Sequence, residues 1–419
     1  MDVAVWAVSM ALALGLGLLL LLITGVICTV YSDSVLPPGI QGPGKLRLIY
    51  AVQVTIAVLG NIVHSLGLGS GSQLAVIRYL RGKMLGTTHK KAAGLEITDE
   101  VFDGVPVRVY RPLPRAAGRR RGVLYFHGGG WVFGSINEYD HLCQYIARES
   151  GSVVVSVEYR LAPEHRYPAQ LDDCLTATLH FIRTAADYTV DNSRIVVSGD
   201  SAGGNLTAAV CLRVSGLEQE SPELPPLRAQ VMIYPALQMV DFTLPSYRQN
   251  QCVPLLFRTR MAFFYLHYLN GEVSLGEEVV DGQHLPLELR AAYRKWINGD
   301  LIPDQFKAGG HRPSPPQTPD NEAVDLLKRS LEPTFSPLLA SDAAISKMPP
   351  AYILTCQFDV LRDDGLLFKK RLEDNGVPVS WHHIPDGFHG IVSFFDNGYL
   401  TFPSGKLAVD NIVAFLKDI

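Results

Sequence analysis

Gly199-Asp200-Ser201-Ala202-Gly203 reads G-x-S-x-G. It follows the apolar run Ile195-Val196-Val197 and precedes Gly204–Val210, a helix-compatible stretch. Strand, tight turn and helix are the context in which this pattern becomes a nucleophile elbow, with the serine hydroxyl held out on a strained turn. Gly199 and Gly203 are then needed because side chains two residues from the serine would collide with the neighbouring strand and helix. A serine hydroxyl is a poor nucleophile without a base, so a histidine oriented by a carboxylate must follow, in the order Ser, Asp/Glu, His. His389, within Asp386-Gly387-Phe388-His389-Gly390, is the best-placed base, on a loop between small residues. His382 and His383 are adjacent in a strand-like run and would face opposite ways. For the acid, Asp359 follows the apolar run Tyr352–Thr355 directly. Asp363 and Asp364 read as first-turn acids of the next helix, and Asp342 is more remote. A second motif, His127-Gly128-Gly129-Gly130, follows Val123-Leu124-Tyr125-Phe126 and suits a loop that turns backbone N–H groups toward an oxyanion.

These residues need a rigid scaffold. Nearly continuous apolar runs at Val123–Phe126, Val153–Val157, Ile195–Val197, Val231–Tyr234 and Tyr352–Thr355 predict strands covered on both faces. Helical segments between several of them, such as 172–185, imply an α/β class with a mostly parallel sheet and right-handed crossovers. Upstream, Val101-Phe102-Asp103-Gly104-Val105 carries a hairpin signal, and Val105, Val107 and Val109 alternate with Pro106, Arg108 and Tyr110. The rhythm stops between Leu237 and Ser336. Met261, Phe264, Tyr265, Tyr268 and Leu269 recur at helical spacing there, and Gly309–Pro319 is rich in Pro and Gly. This interval, about 238–335, is expected to be a helical cap inserted into the catalytic domain, its aromatic stripe forming cap core or lining an acyl pocket.

The chain has 419 residues and a formal net charge of -4, which gives no reason to expect nucleic-acid binding. Arg115 and Arg119-Arg120-Arg121 form a basic cluster expected in a solvated loop. The six cysteines, Cys28, Cys143, Cys174, Cys211, Cys252 and Cys356, include no C-x-x-C spacing, so neither a zinc nor a redox site is expected. Val3–Ser32 contains no charged residue and is long enough to cross a bilayer as an uncleaved anchor; a cleaved signal peptide fits less well, because the apolar region is too long and no basic stretch precedes it. Lys45 and Arg47 on its C-terminal side weakly favour a cytosolic catalytic domain. A second charge-free stretch, Leu48–Ile77, carries Gln53, Asn61, His64 and Ser65 as a polar stripe. A second span is the alternative, but the stripe favours a helix lying on the membrane or covering the mouth of the site. The expected division is a signal-anchor at 1–32, a membrane-proximal helical segment at 33–99 and a catalytic domain at 100–419.

Taken together, His127-Gly128-Gly129-Gly130-Trp131, Tyr159-Arg160-Leu161-Ala162-Pro163-Glu164, Gly199–Asn205, Asp359-Val360-Leu361-Arg362-Asp363-Asp364-Gly365 and Gly387-Phe388-His389-Gly390 resemble the hormone-sensitive-lipase group of α/β hydrolases. Within it the chain is similar to the arylacetamide deacetylase family, including Tyr234-Pro235-Ala236-Leu237-Gln238, Leu244-Pro245-Ser246-Tyr247 and the single N-terminal membrane segment. The resemblance covers essentially the whole chain. It implies an α/β-hydrolase fold and a serine hydrolase of hydrophobic esters or amides. Ser201 would be nucleophile, Asp359 acid and His389 base, with Gly128, Gly129 and Ala202 as oxyanion donors. It implies no metal or organic cofactor, and no obligate protein partner. It also implies a catalytic domain in the endoplasmic-reticulum lumen, against the charge signal. In that family a cysteine after the H-G-G-G-W tryptophan pairs with one before the acid; here that position is Val132, which leaves Cys356 free. Asn205-Leu206-Thr207 is a sequon, but in the elbow helix it is expected to be buried. The competing expectation is a non-catalytic binding protein on the same fold, as in the gibberellin receptor, which lacks a working triad. Here every triad position is filled.

Overall fold

The computed structural model describes residues 3–33, 36–67, 73–85, 93–114, 118–220, 224–269, 271, 273–307 and 318–419. Eight strands form one sheet: β1 (Leu95–Phe102), β2 (Val105–Pro112), β3 (Arg120–Phe126), β4 (Val153–Val157), β5 (Val190–Asp200), β6 (Ala229–Ile233), β7 (Ala351–Phe358) and β8 (Val379–Phe388). Their order is β1-β2-β4-β3-β5-β6-β7-β8. The pairs β1–β2 and β2–β4 are antiparallel; from β4 to β8 the sheet is parallel. The β1–β2 hairpin turns at Asp103 (φ 46°) and Gly104 (φ 93°), two successive positive φ values that match the twist of the strands. The sheet starts at Leu95, five residues before the expected boundary at Glu100.

The parallel strands are buried on both faces because alternate residues feed two cores. Leu124, Val155 and Val197 join one, Val123, Val154 and Val196 the other. Helices cover both sides. α1 (Val3–Asp33), α2 (Pro43–Ser65) and α3 (Gln73–Leu85) precede the sheet. α4 (Ile136–Ser150), α5 (Ala169–Thr184) and α6 (Ala202–Glu220) connect its strands. The connection from β6 to β7 holds α7 (Pro245–Gln249), α8 (Arg258–Leu269) and further short helices. A helix at Arg362–Asp374 and another at Pro403–Asp418 complete the layers.

Two expectations change. The stretch Leu48–Ile77 is two helices, not one; α2 and α3 pack together where a Cβ on Gly60 would lie 2.5 Å from Ile77 Cγ1. The arginine cluster is a solvated loop only in part: Arg119 is exposed ahead of β3, but Arg120 opens β3, and Arg121 is 5% exposed and donates to the Ile419 oxygen (2.5 Å), as Arg194 does (3.1 Å). Arg115 lies outside the described residues. Most of the Pro/Gly-rich stretch 309–319 lies there too.

α1 contains 25 residues, Val8–Ser32, long and apolar enough to cross a membrane. α2 meets the same length and composition test, but 33% of it is buried against the protein. The six cysteines are all free thiols, with Cys143, Cys174, Cys211 and Cys356 buried.

Candidate active site

In an open parallel sheet, functional groups gather beyond the carboxyl ends of the strands. Ser201 follows β5, Asp359 follows β7 and His389 follows β8, so three separate runs of chain deliver three side chains to one edge. Ser201 sits at φ 56°, a left-handed conformation that a non-glycine residue adopts only under constraint. Its amide donates to Ile233 O (2.8 Å), which pins the turn to β6. The flanking glycines are forced by backbone proximity. A Cβ on Gly199 would lie 2.3 Å from Gly203 O, and one on Gly203 would lie 1.9 Å from Phe126 O.

The His389 Nε2 atom is 2.9 Å from Ser201 Oγ, and its Nδ1 is 2.7 Å from Asp359 Oδ2. Asp359 is fully buried; its Oδ1 accepts from the Leu361 amide (2.9 Å). Asn250 donates to the Asp359 carbonyl (3.0 Å) and so ties the acid loop to the cap insertion. The Tyr234 ring packs beside the His389 ring at 4.8 Å. The geometry fits a neutral imidazole whose N–H faces the carboxylate and whose lone pair faces the hydroxyl.

The other candidates lie elsewhere. His382 meets Asn411 Nδ2 (2.9 Å), and His383 Nδ1 meets Thr355 Oγ1 (3.0 Å). Asp342 accepts from Arg371 (2.5 Å). Asp363 and Asp364 occupy the first helical turn as expected, but both are fully buried and hold the start of the cap. Asp363 accepts from the Ser246 amide (2.7 Å); Asp364 accepts from the Leu237 amide (2.9 Å), Gln238 Nε2 (3.1 Å) and Tyr247 Oη (3.3 Å). Burial pushes the Asp364 carboxyl up to about 8.

The glycine loop departs from expectation at one residue. The Gly128 amide, expected to face the oxyanion, donates to Asp200 Oδ1 (2.8 Å). The fully enclosed Asp200 carboxylate also accepts from Tyr125 Oη (2.9 Å) and Tyr139 Oη (2.9 Å). Burial pushes its pKa up against the pull of these donors. Asp200, in the elbow motif, therefore fastens the elbow to the glycine loop. Gly129 (φ 118°) and Gly130 (φ 64°) turn into the cavity beside Ser201. Among the described residues, no protein acceptor meets either amide. His127 lies behind the loop, stacked on Tyr159 (4.2 Å) with its Nδ1 2.8 Å from Gly128 O.

A cavity of about 520 Å³ opens over Ser201 and His389. Its roof comes from three places: Gln53, Ile56, Ala57 and Asn61 of α2, Leu74, Ile77 and Arg81 of α3, and the α8 region from Leu255 to Phe264. The polar stripe of α2 is thus split: Gln53 and Asn61 face the cavity, whereas His64 and Ser65 are exposed. The aromatic stripe of α8 is split as well. Tyr265 and Tyr268 are cap core packed on Trp131, and Phe264 lines the cavity against Gly130. Arg78 of α3 anchors the roof to the floor by donating to Val132 O (2.6 Å), Ala162 O and Glu164 (2.8 Å). Asn205 of the sequon is fully buried and bonds Ala236 O and Phe335 O.

This fold and this cluster define a carboxylester hydrolase of the α/β-hydrolase class. Residues 123–282 and 322–393 match the model of an α/β-hydrolase-fold family. The chain is 41% identical over 385 residues to human arylacetamide deacetylase-like 4, covering 92% of each. It is 37% identical over 370 residues to mouse neutral cholesterol ester hydrolase 1, covering 86% of this chain and 88% of that one. A solved structure of EstE1, a thermostable carboxylesterase from a metagenomic library, superposes with a TM-score of 0.61 at 28% identity, over 83% of this chain and 98% of the other. The chain belongs to the arylacetamide deacetylase-like proteins of the α/β-hydrolase superfamily.

Proposed function

We propose that the protein is a membrane-anchored serine carboxylesterase or deacetylase acting on hydrophobic ester or amide substrates, with Ser201, His389 and Asp359 as its catalytic triad. The continuous Ser201–His389–Asp359 hydrogen-bonded chain at the floor of an apolar cavity carries this reading. Ser201 Oγ attacks the substrate carbonyl while His389 Nε2 takes its proton. The imidazolium is held by Asp359, which also fixes the tautomer. The tetrahedral oxyanion is received by the amides of Gly129, Gly130 and Ala202, each donor typically worth about 3–4 kcal/mol. Ala202 qualifies because it opens α6, where the first amides lack intrahelical acceptors. Collapse breaks the bond to the alcohol or amine, which departs with the proton from His389. Water then gives its proton to His389 as it attacks the acyl-enzyme, and the acid leaves as Ser201 is restored.

Residues 1–32 serve in this reading as a single-pass signal-anchor, 33–99 as a membrane-proximal part of the cap, and 100–419 as the catalytic domain in the endoplasmic-reticulum lumen. The apolar α1 and the family resemblance support this arrangement. A roof made partly of the residues that follow the anchor would place the cavity mouth near lipid, where hydrophobic esters partition. Protection of the catalytic domain from added protease in sealed microsomes checks the topology.

Hydrolysis of p-nitrophenyl esters by full-length protein in microsomes, beside Ser201→Ala at equal expression, tests the chemistry. Turnover should fall by roughly 10⁴-fold or more. Equal turnover by the variant, or failure of a fluorophosphonate to label Ser201 in an active sample, would sink the triad assignment.

A further inference from the structure

Arg260 lies in the first turn of α8 and lines the same cavity as Ser201 and His389. Among the described residues its hydrogen-bond partner is a backbone carbonyl, Leu255 O (3.2 Å), and its guanidinium lies over the Phe257 ring (5.5 Å). Among the described residues no carboxylate pairs with it. The other arginine in the wall, Arg81, is matched by Glu138 at 2.8 Å. The nearest acid of the floor, Asp200, is already saturated by Tyr125, Tyr139 and the Gly128 amide. Burial lowers the Arg260 pKa, as does the neighbouring Arg81, with Tyr50 opposing; a guanidinium nevertheless stays charged at any physiological pH. Among the described residues, the cavity wall therefore carries a half-buried positive charge without a carboxylate partner, beside Phe257, Phe263, Phe264 and Ile56.

Arg260 is half-buried, and a charge that faces a cavity without a carboxylate partner is available to pair with a ligand group. The position along α8 says where that ligand group must lie. Phe264 packs on Gly130, where a Cβ would lie 2.4 Å from its ring. Arg260 is four residues earlier on the same helical face, about 6 Å along the axis from the residue that touches the oxyanion loop. The guanidinium is planar, with several donors suited to two-point capture of an oxyanion group.

We infer that Arg260 is an anion-recognising group of this cavity, and that preferred substrates carry a carboxylate or phosphate roughly one to two helical turns from the scissile bond. This rests on the esterase reading above and narrows its substrate class: amphiphilic esters with an anionic end, rather than neutral esters alone. Carboxylate and phosphate share the recognition chemistry, so the experiment separates them.

Equilibrium binding of octanoate, octyl phosphate and octanol to full-length protein in non-ionic micelles is the direct test, because it does not require turnover. Wild type should bind at least one of the two anions about tenfold or more tightly than octanol. Which anion binds tighter identifies the source. Arg260→Gln should erase the anion-over-alcohol ratio, and Arg260→Lys should restore part of it. The ratio is the readout, since a merely structural arginine would change all three affinities together. Equal binding of anions and octanol by wild type overturns the inference, as does an anion preference that survives in Arg260→Gln. Turnover of p-nitrophenyl butyrate, followed separately, reports on the esterase reading. Its absence with the binding ratio intact would condemn that reading and not the anion site.

Discussion

The floor and the roof of the cavity are built on different principles. The floor, made by the strand ends and the Ser201 elbow, is backbone against backbone: Gly199 and Gly203 sit where any side chain would strike a main-chain atom. The roof, made by α2, α3 and α8, is side chain against side chain, with apolar residues, two arginines and a few polar groups from three distant parts of the sequence. A floor of this kind fixes reacting atoms and tolerates almost no change. A roof of this kind can vary without disturbing the chemistry beneath it. The division predicts that floor substitutions act on kcat or on folding, and roof substitutions on KM and substrate choice.

The sharpest way to break the comparison is Gly203→Ala. The added methyl would lie 1.9 Å from Phe126 O and 2.8 Å from His127 O, so the elbow helix must move away from β3. We expect loss of activity together with a stability loss of more than about 3 kcal/mol, read as a fallen melting temperature or failed expression. A well-folded, active Gly203→Ala enzyme would show that the floor is not a backbone construction. Asp200→Asn comes next. An amide cannot accept from Tyr125, Tyr139 and Gly128 as a carboxylate does, so the glycine loop loses its register with Ser201. The expected cost is on the order of 10²-fold in kcat with KM little changed, as for a misplaced catalytic group. A change confined to KM would place Asp200 with the roof.

The same division explains what could be read from the chain. The strands were legible because Val123–Phe126 and Val153–Val157 must be apolar on both faces, and the motif glycines because local backbone geometry demands them. The meeting of Ser201, Asp359 and His389 was legible because the fold brings the ends of β5, β7 and β8 to one edge of the sheet. Gly128, an oxyanion donor by family resemblance, was misassigned because the motif says nothing of Asp200, seventy-two residues away, which captures its amide. The roof was poorly legible for the same reason. The polar positions of α2 fit a headgroup region or a cavity equally well, and only the cavity they share with Ser201 and the α8 region decides. The break between α2 and α3 did have a local signal, the run Gly67-Leu68-Gly69-Ser70-Gly71-Ser72, which reading 48–77 as one charge-free stretch passed over. Arg121 is buried by its contact with Ile419, a partner from the far end of the chain. Arg260 stands in an aromatic helix with nothing nearby in sequence to mark it.

Asp364 lies on the seam between the two regions and sharpens the boundary. It is fully buried and accepts from Leu237 and Gln238, where the cap insertion leaves β6, and from Tyr247 of α7. Its folded-state pKa of about 8 stands above the ordinary 3.8. Between those values the folded protein binds more protons than the unfolded chain, so this group's contribution to stability is complete below about 3.8 and is lost as pH rises through 8. Asp364→Asn should flatten the fall in stability between pH 4 and 8, seen in denaturant melts across that range. An unchanged slope would mean that the seam does not titrate.

The mildest test concerns Arg78, which ties α3 to Val132 O and Ala162 O on the far side of the glycine loop. Its ion pair with Glu164 is half open to solvent and contributes little. The two carbonyl contacts matter more, because removing the guanidinium leaves both acceptors without their donor beneath the helix. Arg78→Ala should loosen the roof while the Ser201–His389–Asp359 distances hold. We expect KM for hydrophobic esters to rise about three- to tenfold, corresponding to roughly one ordinary net hydrogen bond. The reaction with a small acetate ester, which needs little of the roof, should change less. Michaelis curves on esters of increasing chain length would decide it. A KM effect that grows with chain length assigns Arg78 to the roof. A uniform drop in kcat at every length would instead show that α3 holds the oxyanion loop in place, and that roof and floor form one mechanical unit.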